Sequence, residues 1–80
     1  LNELNLSFNQ IKSIGKNAFK HLKNLKRLFL NHNKIVSLDS AIFNGLFNLK
    51  QITLSNNQLE IIPERLFFGL GNMEHLMLQV

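Results

Sequence analysis

Apolar residues return every 24 positions along this chain. Leu1, Leu25 and Leu49 begin three successive segments, and Met73 begins a fourth. No insertion interrupts the other apolar columns, which include Leu4, Leu28, Ile52 and Leu76; Leu6, Leu30, Leu54 and Leu78; Ile11, Ile35 and Leu59; Ile14, Leu38 and Ile62; and Leu22, Leu46 and Leu70. A fixed period of about 20 to 50 residues is typical of a solenoid. We therefore predict one repeat array, with complete repeats over 1–24, 25–48 and 49–72 and a partial repeat over 73–80.

The start of each repeat has the spacing of a strand with one buried side. Leu4 and Leu6 lie two positions apart, and the three-residue step from Leu1 does not continue along one helical face. Strands that return in one direction once per repeat stack as a parallel sheet, with neighbours about 4.8 Å apart. We predict such a sheet, with the return path of each repeat on its other side.

A polar residue follows each strand at the ninth position of the repeat. A buried amide needs hydrogen-bond partners, and stacked repeats can supply them from neighbouring backbone. We therefore predict a structural ladder of the three amides, Asn9, Asn33 and Asn57.

The second half of each repeat is expected to contain a short helical or 3₁₀ turn. Phe19 and Leu22 are three positions apart, which suits such a turn. Asp39 or Ser40 is placed to cap the turn of the second repeat, and Pro63 suits a first helical position in the third. The rings predicted to stack along the array are Phe19, Phe43 and Phe67.

The template LxxLxLxxNxLxxLxxxxFxxLxx resembles the leucine-rich repeat family, in its typical 24-residue class, over the whole chain. The resemblance implies an α/β right-handed solenoid, with a parallel β-sheet on the concave face and short helical or 3₁₀ turns and loops on the convex face. It also implies a non-catalytic extracellular module that binds a protein ligand, a co-receptor or a glycan, as in Toll-like receptors and adhesion proteins. Neither end has an atypical polar repeat that would close the core, so we expect a fragment of a longer array. The resemblance implies a secreted or cell-surface ectodomain, and the absence of cysteine does not decide the compartment because secreted members concentrate cysteine in terminal caps.

The outward positions on the strand side of the repeats, here called the sheet face, are where the resemblance places a ligand. Phe29 is the most informative of them, because an outward aromatic on a strand has no packing role. With Phe8 on the same side, it indicates a contact patch for a protein partner. Shielding of Phe29 by long neighbours, and a merely solvated charged surface, are the alternatives. The candidate ligand-binding residues are Lys26, Arg27, Phe29, His32, Lys50, Thr53, His75 and Met77.

The net charge of +4 is unevenly distributed. Seven of the nine basic residues fall between positions 12 and 34, where no acid occurs: Lys12, Lys16, Lys20, Lys23, Lys26, Arg27 and Lys34. Such a field attracts acidic partners, so binding of a polyanion, either a heparan-type sugar or a nucleic acid, is a second hypothesis. The charges divide between the two sides of the solenoid, which disfavours a single groove. A purely structural spacer is the third hypothesis.

Asn5-Leu6-Ser7 is the one glycosylation sequon in the sequence and makes Asn5 a candidate site. Coincidence is the alternative, because the repeat favours a small polar residue at position 7. The three histidines have no ligand-like spacing, and no nucleophile lies beside a base. We therefore predict neither metal nor cofactor nor catalysis. No apolar run approaches the roughly 20 residues that cross a bilayer, so no membrane contact is expected from this segment.

Overall fold

The computed structural model describes residues 1–63, 65–67 and 69–70, together with the backbone of residues 75–77. Four short strands are present in the described parts: β1 (Glu3–Asn5), β2 (Arg27–Phe29), β3 (Gln51–Thr53) and β4 (His75–Met77). They form one sheet in the order β1-β2-β3-β4. All three strand pairs are parallel. The predicted parallel sheet of a repeat solenoid is therefore confirmed.

The register of the sheet follows the repeat. Leu4 pairs with Leu28, Leu28 with Ile52, and Ile52 with Leu76, so each residue faces its counterpart in the next repeat. The side chains of Leu28 and Ile52 are fully buried. Met73 and Leu78, which complete two of the predicted columns, lie outside the described residues.

The core lies between the sheet and the return path of each repeat. The ring of Phe43 stacks on Phe19 with centroids 6.3 Å apart and on Phe67 with centroids 6.1 Å apart. Phe19 and Phe43 are buried. The predicted stack of phenylalanines is therefore confirmed.

Leu4 and Leu6 are only partly buried, because the first repeat packs against one neighbour, whereas the second packs against two.

The return path consists of successive turns, and no helix forms in the part of the chain that the structure describes. In the first repeat, the Ala18 N–H donates to the Gly15 carbonyl and the Leu22 N–H donates to the Phe19 carbonyl, each at 3.0 Å. These bonds span three residues, as in a 3₁₀ turn, but they do not continue into a helix. In the second repeat, Asp39 Oδ1 accepts a hydrogen bond from the Ala41 N–H at 2.8 Å, as expected of a cap. The described segments accordingly contain no helix that could cross a bilayer.

Two of the three predicted amides bridge repeats. Asn33 Oδ1 accepts from the Ile11 N–H at 3.1 Å, and its Nδ2 donates to the Leu6 carbonyl at 2.9 Å. Asn57 makes the same pair of contacts one repeat later. Asn9 is exposed and its Nδ2 donates to carbonyls of its own repeat. The difference arises because no earlier repeat packs against Asn9 in this structure.

Candidate functional site

Two lysines precede strands β2 and β3 on the sheet face. The Lys50 N–H donates to the Lys26 carbonyl at 2.7 Å, so the two residues lie side by side in neighbouring repeats. Both side chains are exposed. Two like charges about 6 Å apart in water repel by only about 0.7 kcal/mol, so the pair is easily tolerated. The two lysines therefore present adjacent positive charges to solvent.

Arg27 lies between Glu3 and Gln51 in the register of the sheet. Its Nη1 is 3.9 Å from Glu3 Oε2, and both side chains are 53% exposed. A pair this long and this exposed contributes little to stability. The sheet face around β2 therefore carries three positive charges, from Lys26, Arg27 and Lys50, against the single negative charge of Glu3.

Phe29 is half-buried and faces Asn5 on one side and Thr53 on the other. Neighbouring side chains thus shield Phe29 in part, as predicted by the alternative of shielding by neighbours.

Thr53 departs from the predicted contact surface. It is 8% exposed, and its Oγ1 is buried without a hydrogen-bond partner among the described residues. Its short side chain lies between the outward positions of longer residues, so it is not open to a ligand in this conformation.

A column of three exposed residues runs along the strand ends at the eighth position of each repeat. The rings of Phe8 and His32 are stacked, with centroids 4.2 Å apart and planes 9° from parallel. His32 Nε2 lies 3.1 Å from Asn56 Nδ2. All three residues have a left-handed backbone, with φ values of 57°, 57° and 59°. His32 therefore occupies a defined position, held by its neighbours in both adjacent repeats.

The sequence places Phe8, His32 and Asn56 at outward positions, but it did not predict the stacking of Phe8 on His32 or the contact of His32 with Asn56. The available signal was their common spacing, since the three residues are 24 positions apart in series. Phe8 is 73% exposed, which leaves much of its ring free. The column therefore adds an aromatic edge to the sheet face.

The backbone of β4 places His75 beside Gln51 and Met77 beside Thr53. His75 therefore lies in the same cross-strand row as Arg27, and Met77 in the same row as Phe29. Their side chains lie outside the described residues.

The basic residues of the first two repeats do not converge on one site. Lys16, Lys20 and Lys23 lie in the turns of the return path, whereas Lys26 and Arg27 lie on the sheet face. The remaining two, Lys12 and Lys34, are exposed residues of connecting segments. The predicted division of charge between two sides of the molecule follows from this arrangement.

Asn5 is exposed at the outer edge of the sheet. Its Oδ1 accepts hydrogen bonds from the backbone N–H and the hydroxyl of Ser7, the first at 3.0 Å. The side chain thus closes a local Asx turn over the two following residues. The sequon is therefore ordered and open to solvent.

No cavity is enclosed by the described residues, and no three of them form a cluster of metal-ligand type. His21 lies in the turns of the first repeat, apart from His32 on the sheet face. What the described surface offers is an open, ordered array of side chains suited to contact with another macromolecule.

Comparison with known sequences agrees with this architecture. None of the curated proteins compared with the chain matches it. The family model described as leucine rich repeat matches residues 1–41 and 30–79. These two matches span almost the whole sequence, and the observed sheet has the register that the repeat requires. The chain therefore belongs to the leucine-rich repeat family.

Proposed function

We propose that this chain binds a protein ligand through the sheet face around β2. Leucine-rich repeats are generally non-catalytic protein-interaction modules. The observation that carries the proposal is the group of outward residues at β2, where Arg27 and Phe29 lie on the strand and Lys26 directly precedes it. Charged residues beside a half-exposed aromatic ring form the combination that protein interfaces use for orientation and for anchoring.

The geometry favours a large partner over a small molecule. A small ligand is normally held in a concave pocket that buries most of its surface, and the described residues enclose none. An open sheet presents its side chains in rows that stacking already orders. Little conformational entropy is therefore lost at this surface when a partner docks.

The charge of this surface selects the kind of partner. Lys26, Arg27 and Lys50 give it a positive field, which accelerates encounter with an acidic protein surface and disfavours a basic one. Phe29 then supplies the apolar contact at short range. We therefore expect an acidic patch with an apolar centre on the partner.

The role proposed for the parent protein is recognition at the cell surface, in innate immunity or in cell adhesion. The support is the resemblance of the repeat template to the extracellular class of the family. Surface biotinylation of intact cells that express the full-length protein tests this location. Labelling only after the cells are lysed would contradict it.

The binding surface is tested by photo-crosslinking in the parent protein. A photoreactive amino acid is placed at Phe29 in one variant and at Lys20, on the return path, in a second. We expect a crosslinked protein partner from the first position and none from the second. Crosslinks from Lys20 alone would contradict the proposed surface.

Affinity for that partner is then measured for a triple variant, Lys26→Ala, Arg27→Ala and Phe29→Ala. Loss of a hot-spot cluster weakens binding by about tenfold or more. The matched control is Lys16→Ala, Lys20→Ala and Lys23→Ala, which removes three exposed side chains from the first repeat but spares the sheet face. Equal affinities for the triple variant and the unmodified protein would favour the alternative of a structural spacer.

Polyanion binding is the second candidate, and the excess of basic residues between positions 12 and 34 favours it. Counterion release would make binding to heparin fall steeply with salt. The control variant on the return path would then weaken heparin binding as strongly as the sheet-face variant. Binding that is insensitive to salt would eliminate this candidate.

A further inference from the structure

We propose that Asn5 is an N-glycosylation acceptor whose glycan lies over the sheet face beside Phe29. The inference rests on the proposed extracellular location, which exposes the chain to the glycosylation enzymes. The glycan would cover the β1 side of the proposed ligand surface, so the two proposals are tested on separate variants.

The amide nitrogen of Asn5 is available, whereas several other asparagines use theirs in contacts between repeats. Asn33 and Asn57 each use Nδ2 to bridge repeats, and Asn48 Nδ2 donates to the Lys23 carbonyl at 3.0 Å. The Nδ2 of Asn5 has no hydrogen-bond partner in the part of the chain that the structure describes, because the hydrogen bonds of this side chain all go to Oδ1. The nucleophilic atom of the sequon is therefore free.

The repeat does not by itself account for this sequon. The fifth position is Phe29 in the second repeat and Thr53 in the third, so packing does not require asparagine there. Ser7 donates through both its backbone N–H and its hydroxyl to Asn5 Oδ1, which couples the two polar residues of the sequon directly. Asn31, the counterpart of Ser7 in the second repeat, makes no such side-chain contact to Phe29.

The acceptor lies on an exposed part of the sheet face. The side chain of Asn5 is open to solvent at the end of strand β1. Asn5 pairs with Phe29 in the register, and both point outward. The first sugar would therefore lie against the exposed part of the Phe29 ring, where its apolar face can pack. The glycan would cover the β1 end of the sheet face and leave Lys26 and Lys50 uncovered.

The modification is a substitution at the anomeric carbon of a sugar. Nδ2 of Asn5 forms a bond to C1 of an oligosaccharide carried on a lipid diphosphate. The bond from C1 to the diphosphate oxygen breaks, the lipid diphosphate leaves, and Nδ2 gives one proton to a base of the enzyme. No oxidant or reductant is needed.

The test expresses the full chain in eukaryotic cells behind a cleavable secretion signal and scores only the secreted protein. Peptide-N-glycosidase F in H₂¹⁸O then converts a glycosylated asparagine to aspartate that carries ¹⁸O. We expect the label at Asn5 in most of the secreted chain. Absence of the ¹⁸O label from Asn5 in secreted protein without substitutions would overturn the proposal.

Matched variants separate the sequon from its surroundings. Asn5→Gln and Ser7→Ala should abolish the glycan, whereas Ser7→Thr and the counterpart change Ser55→Ala should retain it. Loss of the glycan in Ser55→Ala, or its retention in Ser7→Ala, would contradict the assigned acceptor.

The position of the glycan is tested by NMR. We expect nuclear Overhauser contacts between the N-acetyl methyl group of the first sugar and the Phe29 ring, and their loss in Phe29→Ala. An N-acetyl methyl shift identical to that of an unfolded glycopeptide would overturn the placement. Ligand binding is measured on the Asn5→Gln chain, which carries no glycan at this position. Loss of binding in that chain would concern only the sheet-face proposal, whereas absence of the ¹⁸O label would concern only the glycan proposal.

Discussion

The side chain of Asn57 holds the backbone of Ile35, which lies 22 residues earlier in the preceding repeat. Asn57 Oδ1 accepts from the Ile35 N–H at 3.0 Å, and Asn57 Nδ2 donates to the Leu30 carbonyl at 2.9 Å. Asn33 makes the equivalent bond to the Ile11 N–H. One amide therefore satisfies donors and acceptors in two repeats where water does not reach.

Replacing Asn33 with alanine should destabilise the protein far more than replacing Asn9. The change leaves the part-buried Ile11 N–H without its partner and removes hydrogen bonds to the Leu6 and Leu30 carbonyls, so the expected loss is about 2–3 kcal/mol. Asn9→Ala removes bonds within one exposed repeat and should cost about 1 kcal/mol or less. Urea unfolding measures both losses. Equal losses in the free energy of unfolding would show that hydrogen bonds between repeats stabilise the protein no more than those within one repeat.

Phe43 should be the most sensitive position of the aromatic stack, because its ring packs between Phe19 and Phe67. Phe43→Ala is expected to cost about 3–5 kcal/mol. The control is Phe8→Ala, which removes an exposed ring that stacks on His32 alone and should cost about 1 kcal/mol. Thermal unfolding followed by circular dichroism provides the comparison. A milder effect for Phe43 than for Phe8 would contradict the assignment of the core.

Two glycines test backbone strain without steric interference. A Cβ added at Gly45 or at Gly15 meets no atom within 4 Å, but Gly45 has a φ of +85° and Gly15 does not lie in that region. Gly45→Ala should therefore lose about 1–2 kcal/mol through the left-handed backbone alone. Gly15→Ala should be neutral or stabilise by up to about 1 kcal/mol. Chemical denaturation of the two variants in parallel decides whether the turn requires glycine.

The ion pair of Glu3 with Arg27 should matter little for folding. With a separation of 3.9 Å and half of each side chain exposed, Glu3→Gln should change stability by less than about 0.5 kcal/mol. The same substitution removes the one acid beside Arg27 and should speed association with an acidic partner at low salt. Stopped-flow binding at two salt concentrations measures the effect. A large loss of stability would mean that the pair has a structural role.

The inward residues could be read directly from the sequence. Leu28 and Ile52 pair because the period of 24 places them at the same point of successive repeats, and a packed core tolerates few other arrangements. Outward residues are not constrained in this way. Thr53 fits the outward pattern yet is buried, since its exposure depends on the size of its neighbours. The period likewise places Phe8 and His32 in one column but carries no information on the left-handed backbone that lets their rings stack.

The arrangement of the sheet has a mechanical consequence. Each described strand contacts only the strands of adjacent repeats, so tension applied to the two ends of the chain loads the contacts between repeats one after another. An array of this kind should yield in steps under force, and it should not break in a single event. Each step would release one repeat, or about 80 Å of extended chain. A molecule with this design can absorb strain at one end while the remaining repeats keep their shape.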